Sequence, residues 1–98
     1  MSKIYKLWMA KFTEAWHQLS QEEKDSLWAK HNAIAEEFGV KTLVVCDSSW
    51  SSERWQGFGV EEYPDVEAAQ KCTQALNEIE WMRYLDGSVI LGTAMPQS

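Results

Sequence analysis

The chain has 98 residues, a formal charge of −6, two cysteines and six tryptophans. At this length it is expected to form one domain, with one core and enough remaining surface that self-association is a natural way to bury more. The negative balance argues against nucleic acid as a partner, Cys46 and Cys72 form neither a CxxC pair nor a disulfide framework, and no apolar run suits a membrane span or a signal peptide, which leaves a reducing cytoplasm as the expected setting.

Lys3 to Phe12 alternates with apolar residues on both phases: Tyr5, Leu7 and Met9 on one, Ile4, Trp8, Ala10 and Phe12 on the other. A strand that is apolar on both faces is covered on both faces. Thr13 to Leu19 reads as a connector pinned by Trp16 and Leu19, with His17 in solvent. Ser20-Gln-Glu-Glu23 is a capping box, in which Ser20 accepts from the Glu23 N–H and Glu23 reaches back. Leu27, Trp28, Ile34, Ala35 and Phe38 then recur at helical spacing until Gly39 stops the run. His31 falls inside that stripe, one turn after Leu27 and one before Ala35.

Val40 to Ser48 is rich in β-formers, Asp47 to Glu53 is a loop by composition, and Arg54 to Tyr63 is a third strand. On that strand Trp55, Gly57, Gly59 and Glu61 share one phase, while Gln56, Phe58, Val60 and Glu62 share the other. Gly57 and Gly59 clear space that the Trp8 indole can fill. Pro64 ends the strand, and Asp65 and Glu67 suit the start of a second helix. Its stripe of Ala68, Ala69, Cys72, Ala75, Leu76 and Ile79 repeats the offsets of the first helix, with Cys72 where His31 stands there. Trp81 to Tyr84 is a connector. Leu85 to Thr93 is a fourth strand, with Gly87 a bulge or close-approach point. The order βαββαβ predicts an α+β, ferredoxin-like fold: a four-stranded antiparallel sheet with both helices on one face.

Three segments carry a family resemblance. Trp16-His-Gln-Leu-Ser-Gln-Glu-Glu-Lys24 opens the first helix, Tyr63-Pro-Asp-Val-Glu-Ala68 opens the second, and Trp81-Met-Arg-Tyr84 precedes the last strand. Together they resemble small proteins of the dimeric α+β barrel superfamily, close to the darcynin-like group. The resemblance implies a homodimer whose two sheets pack into a barrel, with a pocket between sheet and helices. It also implies kinship with cofactor-free quinol monooxygenases, polyketide cyclases, muconolactone isomerases and haem-degrading enzymes.

The expected helix-facing side carries Tyr5, with a ligand pocket from Leu7, Met9, Leu27, Phe58, Cys72 and Val89. The expected dimer face is the opposite one, with Trp8, Val44, Trp55 and Ile90 beside Ile4 and Phe12. Two readings of His31 stand together. One is a core histidine with its hydrogen bonds satisfied. The other is a neutral imidazole, partnered by Tyr5, that removes a proton from a phenol or an activated C–H. The chain shows no HExxH, GxSxG or P-loop, and no metal or cofactor set. The functional expectation is a homodimer that binds an apolar or aromatic small molecule, with cofactor-free monooxygenase or cyclase/isomerase chemistry if it is an enzyme. The alternatives are a non-catalytic stress-response or binding protein, and haem binding through His31.

Overall fold

A computed structural model describes residues 2–96. In chain order the elements are β1 (Ile4–Phe12), α1 (Glu14–His17), α2 (Gln21–Glu37), β2 (Lys41–Asp47), β3 (Gly57–Tyr63), α3 (Val66–Glu78), α4 (Trp81–Tyr84) and β4 (Leu85–Gly92). The expected order βαββαβ is therefore present, with the two expected connectors each wound into one helical turn. The local signals act as chemistry requires. Ser20 Oγ accepts from the Glu23 N–H at 3.1 Å, and Glu23 Oε1 accepts from the Ser20 N–H at 2.9 Å. Asp65 caps α3 by accepting from the Ala68 N–H at 2.7 Å. Gly39 follows α2 with φ +71°, a conformation that side chains with a Cβ rarely adopt.

The strands form one antiparallel sheet in the order β2-β3-β1-β4. The helices lie on one face of it. Ile4 and Tyr63, paired across β1 and β3, are buried with Ala69, Cys72, Leu76 and Trp81, and Leu27 and Ile34 of α2 and its C-cap Phe38 pack against that core. Thr13 at the end of β1 ties α1 to α4: its N–H donates to Tyr84 O at 3.1 Å and its hydroxyl to Arg83 O at 2.8 Å. The molecule measures 48 × 32 × 16 Å over its Cα atoms, thin in one direction because only one sheet face carries helices. No helix among the described residues is long and apolar enough to cross a membrane.

The faces of the two central strands are the reverse of those expected. Ile4, Trp8 and Phe12 turn toward the helices, and so do Gly57, Gly59 and Glu61, which pair across from β1. Tyr5, Leu7, Met9, Phe58 and Val60 occupy the face away from the helices. The edge strands sit as expected: Val45 and Val89 pair with the helix-side residues Gly59 and Trp8, and Val44 and Ile90 with Val60 and Leu7. Alternation alone could not choose a phase for β1, because both of its phases are apolar. Anchors at the two ends of β1 decide it. Ile4 meets Tyr63 and α3 at one end, and Phe12 stacks on Trp16 at a centroid distance of 4.4 Å at the other.

Candidate functional site

His31 sits in a cluster of aromatic rings at one end of the helical layer. α2 brings Trp28 and His31 to one side, one turn apart, where they meet Trp81 of α4. The His31 ring lies 4.6 Å from Trp81, tilted by 32°, and edge-on to Trp28 at 5.4 Å. Trp28 in turn meets Trp81, Trp16 and Phe12. Trp16 and Trp81 are buried, and Trp81 joins this cluster to the core beneath α3. Nδ1 of His31 lies 3.2 Å from the side-chain oxygen of Asn32, so one ring nitrogen is engaged by its neighbour.

The expected pairing of His31 with Tyr5 does not form. Tyr5 stands on the far face of the sheet, because strand alternation puts it opposite Ile4, which faces the helices. Neither the cleft lined by Ile4, Val66 and Leu91 nor the one lined by Phe38, Gly39 and Pro64 includes His31. Neither cleft is lined by a histidine, cysteine, methionine or tyrosine that could hold a haem iron.

The remaining expected site residues divide between the faces. Leu7, Met9 and Phe58 stand with Tyr5 away from the helices, beside Val44 and Ile90. Trp8 does not belong to that face: its indole lies under the helices, over Gly59. Trp55 lies in the loop before β3, where its carbonyl accepts from Ser48 Oγ at 2.9 Å and Arg54 stacks 4.7 Å above its ring. Leu27 packs against the helical core, Cys72 is buried under α3, and Val89 lies exposed on the helix side of edge strand β4. The expected pocket residues therefore do not meet in one cavity.

Two features were not foreseen. The first is a partly buried polar group beneath α3. Lys6 Nζ lies 3.4 Å from Tyr63 Oη and 3.6 Å from Glu61 Oε1, and Tyr63 donates to Glu61 at 3.4 Å. Burial, then the neighbouring Glu61 and Cys72, raises the Tyr63 phenol well above its usual range. The Cys72 thiol is raised as well, chiefly by burial. Burial thus favours the neutral form of both groups. The sequence signal was Lys6 sharing a phase with Ile4 and Trp8, a charge that a covered face must pair.

The second feature is a cleft of about 730 Å³ between α3 and β4. Its floor is Ile4, Ala69 and Leu91, and its rim is Val66, Gln70, Thr73, Gln74, Gly92 and Thr93. It opens because α3 lies over the central strands and leaves the helix side of β4 bare. Thr73 Oγ1 is already committed to Ala69 O at 2.9 Å. The free polar groups at the rim are therefore the carboxamides of Gln70 and Gln74 and the Thr93 hydroxyl.

No family model matches the sequence, and no curated protein matches it by sequence. Solved structures do share the fold. A chlorite dismutase-like protein aligns with a TM-score of 0.75 and 17% identity over 97% of this chain. This chain spans 46% of that protein's length, a little under half. A protein of unknown function from Rhodopseudomonas palustris aligns with a TM-score of 0.65 and 15% identity, over 98% of this chain and 85% of its own. A hypothetical Arabidopsis thaliana protein aligns with a TM-score of 0.58 and 13% identity, over 100% of this chain and 91% of its own. At such identities the likeness is one of fold: an α+β, ferredoxin-like sheet with its helices on one side.

Proposed function

We propose that this chain acts as a homodimer, two copies stacked sheet to sheet in a dimeric α+β barrel, and that each copy binds an apolar or aromatic small molecule between its sheet and helices. One observation carries the dimer: the sheet face without helices is apolar at its centre, with its charged residues at its ends. Leu7 is 37% exposed, Phe58 38%, Val44 45% and Ile90 60%, and all four share that face. Lys3 pairs with Glu62 at 3.6 Å on one strand pair, and Lys11 with Asp86 at 3.9 Å on another. A second copy of an acidic chain is repelled by net charge, and this face escapes that acidity: Lys3, Lys11 and Lys41 against Glu62 and Asp86 leave it at 3 − 2 = +1. Covering Phe58 and Ile90 completely is worth on the order of 1–2 kcal/mol each, which favours burial over display. The face repeats on both copies, so a two-fold contact satisfies both at once.

Binding is favoured over catalysis because the two groups expected to move a proton, His31 and Tyr5, stand on opposite sides of the sheet. Cys46 and Cys72 are both free thiols, which suits a reducing cytoplasm. Native mass spectrometry of the protein as purified tests the reading. The expected species is a dimer carrying extra non-covalent mass. A bare monomer across the accessible concentrations contradicts it.

A further inference from the structure

We infer that the cleft between α3 and β4 is the ligand site, and that it selects an elongated, uncharged molecule with an apolar body and an amide, alcohol or ketone at one end. This rests on the reading above that the layer between sheet and helices takes a small molecule.

The case begins with charge. About a quarter of the chain is charged, yet none of the nine residues around the cleft is. α3 sorts its residues by face. Ala69, Cys72 and Leu76 enter the core. Glu67 and Lys71, paired with each other at 2.9 Å, face the other cleft, toward the end of α2. Val66, Gln70 and Thr73, spaced i, i+4 and i+7, overhang β4 without a charge among them.

Shape and polarity give the ligand class. The overhanging part of α3 from Val66 to Gln74 runs for about 12 Å at the helical rise per residue. Beneath it Ile4 and Leu91 offer an apolar floor, and Leu91 remains more than half exposed until something covers it. The volume of about 730 Å³ falls in the range of small-molecule sites. Gln70 and Gln74 lie one turn apart on the same side. Each carboxamide offers both a donor and an acceptor, which matches an amide, hydroxyl or ketone. The lining offers a carboxylate or ammonium no counter-charge, whereas the two carboxamides can meet an uncharged polar end group directly.

The test uses three probes with the same alkyl chain: decanamide, decanoate and decyltrimethylammonium. Each is titrated into the isotopically labelled protein and followed by amide chemical shifts. The expected result is binding of decanamide at least tenfold tighter than either charged probe, with shifts concentrated on Gln70, Thr73, Gln74, Leu91 and Thr93. Gln74→Lys, an exposed substitution that leaves the fold intact, should raise decanoate affinity to or above that of decanamide. Charged probes binding as tightly as decanamide would overturn the ligand class. Shifts centred on Tyr5, Leu7, Met9 and Phe58 would place the ligand between two sheets and overturn the cleft, while small-molecule binding itself would stand. Failure of all three probes to perturb the cleft would also overturn the inference. The dimer mass and any retained ligand are read separately by native mass spectrometry, so the two readings fail independently.

Discussion

The indole of Trp8 lies directly on the backbone of Gly59. A Cβ built at Gly59 would come within 2.7 Å of Trp8 Cζ2 and 2.6 Å of Val44 O. The ring therefore occupies the space that a side chain on β3 would take, and it does so under the helices. Gly59→Ala should destabilise the fold by about 1–3 kcal/mol, the usual cost of overpacking, since the Val44 carbonyl belongs to the sheet and cannot turn aside. Urea unfolding of the variant measures the loss; an unchanged midpoint would contradict this packing.

Leu7 and Trp8 are neighbours in sequence and face opposite ways. Leu7→Glu should leave the fold of each chain intact and weaken self-association at least about a hundredfold, because a carboxylate would be buried at the contact without a partner. Trp8→Glu should do the reverse and unfold the chain, since it puts a charge into the layer beneath the helices. Circular dichroism together with sedimentation separates the two outcomes. Dissociation without unfolding in Trp8→Glu would contradict the assigned faces.

Phase in β1 is also where the sequence was least legible. Element order, the Ser20 capping box, the Gly39 stop, the Pro64 break and the Asp65 helix start all follow from local chemistry, and each stands in the structure. Ile4-Tyr-Lys-Leu-Trp-Met-Ala-Lys-Phe12 has no polar phase, and its two lysines fall on opposite faces. Lys6 is tucked against Glu61 and Tyr63, while Lys11 reaches Asp86 at the far face. Periodicity needs a polar side to point outward, and here it had none. The cleft was hidden for another reason. It arises from where α3 lies across the sheet, which no spacing reports, although the charge-free run Val66, Gln70, Thr73 on a helix that also carries Glu67 and Lys71 was there to be read.

His31 is a packing residue in this account, tilted against Trp81 and edge-on to Trp28. His31→Ala should cost about 0.5–1.5 kcal/mol, the range for an aromatic pair, and shift the tryptophan emission of the cluster. Ligand binding at the α3–β4 cleft should be unchanged. Loss of ligand affinity without loss of stability would return His31 to the binding site.

The group beneath α3 predicts alkaline sensitivity. Tyr63 and Cys72 lose protons less readily in the folded chain than in the unfolded one. The unfolded chain therefore holds fewer protons between the two sets of pKa values. The stabilisation is complete below the ordinary thiol and phenol values and is lost as pH rises toward the folded ones, so stability should fall from about pH 9 upward. Tyr63→Phe together with Cys72→Ala should flatten that fall, at a cost near neutrality of about 1 kcal/mol for the lost Tyr63 hydrogen bonds and more for the trimmed core. Denaturant midpoints at pH 7.5 and pH 10.5 for both proteins check it; parallel declines would contradict the assignment.

Light scattering of the unmodified protein over a dilution series into the micromolar range tests the central claim most directly, because the bare sheet face has one proposed occupant. The account predicts a particle of twice the 11.3 kDa chain mass, held by the face that carries Leu7, Val44, Phe58 and Ile90. A particle of single-chain mass throughout the series would contradict it.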